Sequence, residues 1–138
     1  MAVFLFFYIK LGDGILAQKK REYSDFEALL IDKINREIDK RRSDKVTPYL
    51  DIQIAHLATA LHMDVSTLRR HCKKHLQSSP KLFLDRYRIN KAKKQLIKGD
   101  KPSEIFAALG FREHKTFSTL FKRHVGLSPT RFGSEGLR

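Results

Sequence analysis

Cysteine is nearly absent from this chain, with Cys72 the only one in 138 residues. A single thiol excludes an internal disulfide and any cysteine-built zinc cluster, and it suits a reducing cytoplasm. Long apolar runs are missing as well. Residues 2–9, AVFLFFYI, form a stretch far too short to cross a bilayer, so no membrane association is expected. No basic segment precedes them and no small-residue cleavage site follows, so they do not read as a secretory leader. Acidic side chains are scarce too, 15 against 28 Lys and Arg. In the basic part of the chain they stand singly, which leaves a two-metal nuclease centre without ligands. There is no phosphate-cradling glycine loop, no H-E-x-x-H pair and no nucleophile elbow. These absences predict a binding protein that is not an enzyme and needs no cofactor.

What is present is positive charge on a foldable chain. Hydrophobic residues make up 41%, enough for a real core, and the net charge is +13 with an isoelectric point near 10.1. Residues 1–50 carry 10 basic and 8 acidic side chains, whereas residues 51–138 carry 18 and 7. The later part therefore seeks polyanions, because each neutralised phosphate releases condensed counterions.

The pattern along the chain is helical beyond the first residues. Residues 2–11 read as a buried strand, with Gly12-Asp13-Gly14 turning into Ile15-Leu16, so residues 1–23 form an apolar extension that could be a hairpin or the remnant of a preceding domain. Ser24 with Glu27 forms a capping box, followed by Phe26, Leu29, Leu30, Ile34 and Ile38 at helical spacing. Lys40-Arg41-Arg42 suits the negative end of that helix. Asp51 and Asp64 are placed to cap two short helices, and Ser79-Pro80 opens a long one that stops at Gly99. Pro102 starts a short helix ending near Gly110, residues 114–124 form the next, and Ser128-Pro129 starts a last turn.

Shifting the sequence by 49 residues superposes His71–Phe83 on Leu120–Phe132, Ser-Pro on Ser-Pro and basic on basic. Leu57-Ala58 then lies over Phe106-Ala107, and Leu68 over Phe117. The chain thus holds two copies of a short helix, a tight turn and a second helix. The two helix-turn-helix units fall at 51–76 and 102–124, joined by a linker helix at 79–98 within a domain spanning 24–133, and 134–138 is a tail. A linker of that length spans roughly 28 Å at about 1.5 Å per residue, close to the ~34 Å repeat of the major groove.

In each second helix a polar stripe opposes the apolar one. Arg69 and Arg70 face away from Leu68 and Cys72, and Lys115, Ser118 and Thr119 face away from Phe117 and Phe121. Arginine reads guanine O6 and N7 in bidentate fashion, so these stripes are candidate base readers, although such a face can equally be a solvated one. Lys73 and Lys74 superpose on Lys122 and Arg123, and Arg131 follows, a symmetry that phosphate clamping explains. Lys91, Lys93, Lys94 and Lys98 along the linker are expected to be mainly solvated charge. His71 and His75 flank Cys72 one turn apart, but zinc needs about four ligands and nothing completes the set, so no metal site is expected. Cys72 superposes on Phe121 and should be a core residue.

The segment GFREHKTFSTLFKRHVGLSPTRF (110–132) resembles the C-terminal signature of the AraC/XylS family of bacterial transcription regulators. SSPKLFLDRYRINKAKKQL (78–96) is similar to that family's linker-helix pattern of Ser-Pro, aromatic, Arg, Ala and Leu. The resemblance runs from about Phe26 to Phe132. It implies an all-α, seven-helix domain that binds about two turns of promoter DNA in the cytoplasm, usually as an activator touching RNA polymerase. It also implies base-reading positions at Ser66, Arg69 and Arg70 in the first unit and at His114, Lys115, Ser118 and Thr119 in the second. Three departures stand out: Gln77 where the family usually has Gly, His71-Cys72 in place of a bulkier apolar pair, and Glu113 where a small residue or Asp is usual. Fifty upstream residues are too few for a ligand-sensing barrel, so no small-molecule effector is expected. Two other classes compete. One is a protein adaptor working through residues 4–11 and helix 24–42, with the basic body as a non-specific anchor. The other is a DNA-repair methyltransferase, which would need an activated cysteine.

Overall fold

The computed structural model describes residues 14–43 and 51–136, all of whose regular structure is helical. Seven helices follow one another: α1 Gly14–Ser43, α2 Ile54–Ala60, α3 Val65–Leu76, α4 Pro80–Ile97, α5 Pro102–Ile105, α6 His114–Val125 and α7 Pro129–Gly136. None of the described helices is long and apolar enough to cross a membrane. The strand expected over residues 2–11 lies outside the described residues.

Helix α1 begins at Gly14, so the capping box at Ser24 does not open it and Ile15-Leu16 is helical. Nothing between Gly14 and Ser24 breaks a helix, and Ala17, Gln18, Lys19, Lys20 and Arg21 all favour one. Phe26, Leu30, Ile34 and Ile38 are buried along one stripe, as their spacing requires, but Leu29 stands 53% exposed at the edge of that stripe. The basic last turn is more than a dipole complement. Arg41 is buried, with Nη1 donating to the Glu37 carbonyl at 2.7 Å and pairing with its carboxylate at 3.0 Å.

The repeat survives in the backbone. Asp64 caps α3, its Oδ1 accepting from the Thr67 N–H at 2.7 Å. Ser79 caps α4 by accepting from the Leu82 N–H, and Ser128 accepts from the Arg131 N–H at the equivalent place before α7. Pro80 and Pro129 each occupy the first helical position, where a missing N–H costs nothing.

Two local expectations are corrected. Asp51 does not cap the first unit, because α2 starts at Ile54 with Gln53 as its N-cap. The Asp51 carboxylate instead accepts from the Arg112 N–H at 2.6 Å, 61 residues along the chain. The helix after Pro102 keeps α-helical form for only one turn, and residues 106–110 continue as turns held by Leu109 N–H to Ile105 O and Gly110 N–H to Ala107 O.

One hydrophobic core runs through both units. In the second unit it is a chain of rings, with centroids 5.2 Å apart for Phe111 and Phe117, 5.8 Å for Phe117 and Phe121, and 5.5 Å for Phe121 and Phe132. Truncating one buried ring of this kind typically costs about 3–5 kcal/mol. In the first unit the equivalent positions hold the smaller Leu68 and Cys72, both fully buried, and α1 packs against α2 and α3 to complete the core. Helix α4 lies between the units and touches α3, α5, α6 and α7. Its buried face carries Leu84, Ile89, Ala92 and Leu96, with Asp85 and Arg88 among them. Tyr87 Oη on its flank donates to Asn35 Oδ1 of α1 at 2.8 Å.

Candidate nucleic-acid interface

Helices α3 and α6 are amphipathic twelve-residue segments that stand at the same place in the repeat. In α3, Leu68, Cys72 and His75 point into the core. The opposite side presents Ser66, Arg69, Arg70, Lys73 and Lys74, every one exposed. In α6, Phe117 and Phe121 are buried, while Lys115, Thr119, Lys122 and Arg123 are exposed and Ser118 is half-buried. Spacings of three and four keep each set on one side of its helix. Each unit therefore offers one polar, mostly cationic stripe.

The stripes differ chemically. Arg70 Nη2 lies 3.3 Å from Thr67 Oγ1, a weak contact that leaves most of the guanidinium open. Arg69 lines two open grooves, one of about 520 Å³ with Lys73, Ser79 and Pro80, the other of about 480 Å³ with Gln53, Val65 and Lys81. It therefore sits toward α4 and α2, whereas Arg70 is on the outer side of α3. In α6 the places of Ser66, Arg69 and Arg70 are taken by Lys115, Ser118 and Thr119, shorter hydroxyl side chains with one cation. His114, at the edge of its stripe, packs edge-on against Phe106 at 5.4 Å, and its Nδ1 lies 3.4 Å from Ser118 Oγ. Arg131 stands apart on α7 and pairs with Glu135 at 3.3 Å. An exposed pair of this kind is weak, so it does not remove that cation from the surface charge.

The helix starts differ as well. Asp64 holds α3 closed, and its carboxyl lies below the usual 3.8 because it accepts the Thr67 N–H, with further help from the Thr67 hydroxyl and the Arg70 charge. Glu113 is the equivalent residue before α6, and its longer side chain makes no capping bond. It is exposed, an acidic group beside the cationic stripe.

Cys72 is fully buried, and burial pushes its thiol up to about 11. Such a thiol is neither a ready metal ligand nor a nucleophile. His71 stacks on His75 at 5.7 Å and on Phe26 of α1 at 5.5 Å, and the His75 ring is tilted against Phe26 at 5.3 Å. Among the described residues no group of three or more His, Cys, Asp or Glu side chains could hold a metal ion. His75 is buried, whereas its repeat equivalent His124 is exposed, because α1 covers only the first unit. On the linker, Lys91 is half-buried, its ammonium 5.9 Å from the Tyr87 ring centroid. Burial, and then the charge of Arg42, pull its pKa down. Lys94 and Lys98 are exposed, as solvated charge would be.

Of the residues that support this surface, Arg88 was not picked out from the sequence, and Asp51 and Gly110 were read only as a helix cap and a helix end. Arg88 is 2% exposed and donates to the Gly110 carbonyl at 2.9 Å, the Ile52 N–H donates to the same oxygen, and Asp51 accepts from the Arg112 N–H across the two units. One signal for Arg88 was available, since it stands four residues from both Leu84 and Ala92, on the apolar face of α4.

A family model described as "Helix-turn-helix domain" matches residues 57–135. Curated proteins similar to the chain include the HTH-type transcriptional activator RhaS of Escherichia fergusonii and that of Salmonella arizonae. Each is 35% identical over 74 residues, covering 53% of this chain and 27% of the relative. The match thus spans about a quarter of those relatives' length. Among solved structures, a DNA-binding transcriptional dual regulator from Escherichia coli K-12 is similar, with a TM-score of 0.56 and 17% identity over 75% of this chain and 91% of that one. At that identity the likeness speaks for the fold alone.

Proposed function

Since the chain belongs to the AraC/XylS family of helix-turn-helix transcription regulators, we propose that it binds promoter DNA by laying α3 and α6 in adjacent major grooves of one duplex. The observation that carries this reading is the doubled stripe. Ser66, Arg69 and Arg70, with Lys73 and Lys74 behind them, are matched one repeat later by Lys115, Ser118 and Thr119 with Lys122 and Arg123, and of these ten side chains nine are exposed and Ser118 is half-buried. A chance solubility charge has no reason to recur at one offset on two helices that start and stop at the same repeat positions.

The roles divide by chemistry. Arg70, and Arg69 beside it, suit guanine edges, while Ser66, His114, Lys115, Ser118 and Thr119 offer donors and acceptors to other edges. Lys73, Lys74, Lys122, Arg123 and Arg131 suit phosphates and fix register without reading sequence. The eighteen-residue α4 spans about 27 Å at 1.5 Å per residue, within reach of one ~34 Å groove repeat once α3 and α6 project past its ends. Because the two stripes differ, the site is asymmetric and a single chain suffices to read it. The name of the relatives makes activation the transcriptional outcome we carry, and contact with RNA polymerase is the route that the family resemblance implies.

Selection of bound duplexes from a random pool by the full chain, followed by hydroxyl-radical footprinting, tests this. The expected result is one asymmetric site with two protected patches about 10 base pairs apart. Arg70→Ala should weaken the selected duplex by an amount on the order of 1–3 kcal/mol and random duplex far less. A palindromic site needing two chains, or one contiguous patch, would overturn the two-groove reading.

A further inference from the structure

Gly110 is where the second unit meets the first. Its carbonyl oxygen accepts from the Ile52 N–H at 3.3 Å and from Arg88 Nη1 at 2.9 Å. Arg88 Nη2 is held by Asp85 Oδ1 at 2.7 Å, and the guanidinium lies 3.9 Å from the Phe111 ring centroid. Two residues after Gly110, the Arg112 N–H donates to Asp51 Oδ1 at 2.6 Å. The Asp51 carbonyl in turn accepts from Arg41 Nη2 of α1 at 3.1 Å. Gly110 has a φ of +84°, and a Cβ there would collide with the Ile52 side chain, so the two segments approach as closely as only glycine allows.

This seam ties the lead-in of the second reading helix, residues 109–112, to the first residues of the first unit and to the middle of α4. A rod such as α4 sets the distance between its two ends but not the rotation of what hangs from them. Its C-terminal junction contains Gly99 at a φ of +102°, a joint with little intrinsic torsional preference. Packing of α6 and α7 on α4 orients the second unit against the linker, and the bonds at Asp51 and Ile52 orient it against the first unit itself. The Asp85–Arg88 pair is buried, and buried ion pairs contribute little net stability but can select one geometry over its neighbours.

We infer that Asp51, through the Arg112 N–H, and Arg88, through the Gly110 carbonyl, are positioning residues that fix the rotation of α6 relative to α3 and so set the half-site spacing that the protein accepts. The inference rests on the two-groove reading above. Neither side chain needs to touch DNA.

Two measurements test it on the full chain. The first uses no DNA. Spin labels at Lys74→Cys and Arg123→Cys report the distance between α3 and α6, while buried Cys72 stays unlabelled. The distribution should be narrow in the otherwise native protein, clearly broader with Asp51→Ala, and narrow again with Asp51→Asn, which keeps an oxygen acceptor for the Arg112 N–H. An unchanged width with Asp51→Ala overturns the inference and leaves the DNA-binding reading intact. The second compares the selected duplex with one carrying two extra base pairs between the protected patches. Asp51→Ala should lose about tenfold on the native spacing and little on the altered one, so that the spacing penalty shrinks by about that factor. Equal losses on both duplexes overturn the inference. A native protein with no spacing penalty at all overturns the two-groove reading, and the inference with it.

Discussion

Gln77 and Gly126 end α3 and α6 at the same repeat position and in the same left-handed backbone region, with φ of 49° and 90°. Only one of them is glycine. An L-residue in this conformation crowds its Cβ against the following carbonyl, at a cost of about 1–2 kcal/mol, part of which a glycine returns through its freer unfolded chain. The bond from Gln77 Nε2 to the Lys74 carbonyl is long at 3.4 Å and offsets little of this.

Gln77→Gly should therefore stabilise the protein by about 0.5–1 kcal/mol, raising Tm by about 3 °C. Gly126→Gln should do the reverse. Thermal unfolding of both variants checks the pair, and a loss of stability with Gln77→Gly would mean that the side chain holds more than its backbone costs.

The helix starts give a second asymmetry. The Asp64 carboxyl lies below its ordinary 3.8, so the cap contributes fully above that pH and is lost as pH falls through the folded-state value. Asp64→Asn keeps a capping oxygen but cannot titrate. Denaturant unfolding across pH should show the two proteins in parallel above about pH 5, with the native protein losing ground to the variant below 3.8. At the equivalent place, Glu113→Asp should supply the cap that α6 lacks and add about 0.5–1 kcal/mol at neutral pH. A curve for Asp64→Asn that follows the native one down to pH 2 would remove the cap from the acid response.

Cys72 carries a third prediction. A buried thiol held near 11 presents almost no thiolate at neutral pH. Native protein should react with a thiol reagent only on the timescale of opening, and unfolded protein within the dead time of mixing. Rapid native labelling would place Cys72 at the surface. Cys72→Ser should be clearly destabilising, because a hydroxyl would be buried where a sulfur packs.

Much of this molecule is local, and that part is legible along the sequence. Asp64, Ser79 and Ser128 each bond an N–H three residues ahead, so cap and helix start are written in adjacent letters. Phe117 and Phe121, or Leu68 and Cys72, are one helical turn apart, so their shared burial follows from period alone. The resulting opposite stripes, and their recurrence at one offset, need no knowledge of the third dimension.

What the tertiary structure decided was partnership between distant residues. Asp51 is as good a cap by type as Asp64, but Arg112, 61 residues away, takes its carboxylate, and nothing near Asp51 announces that competitor. Leu29 fits the apolar stripe of α1 by spacing and still faces solvent, because which flank of a stripe is covered depends on the neighbour that arrives. His75 and His124 are equivalent in sequence, yet one is buried and one exposed, since α1 packs against only the first of the two copies of the repeat. Local conformation follows from interactions within one turn of chain, whereas burial and pairing follow from which surfaces meet, and at Gly110 that meeting joins two halves that the repeat alone would leave independent.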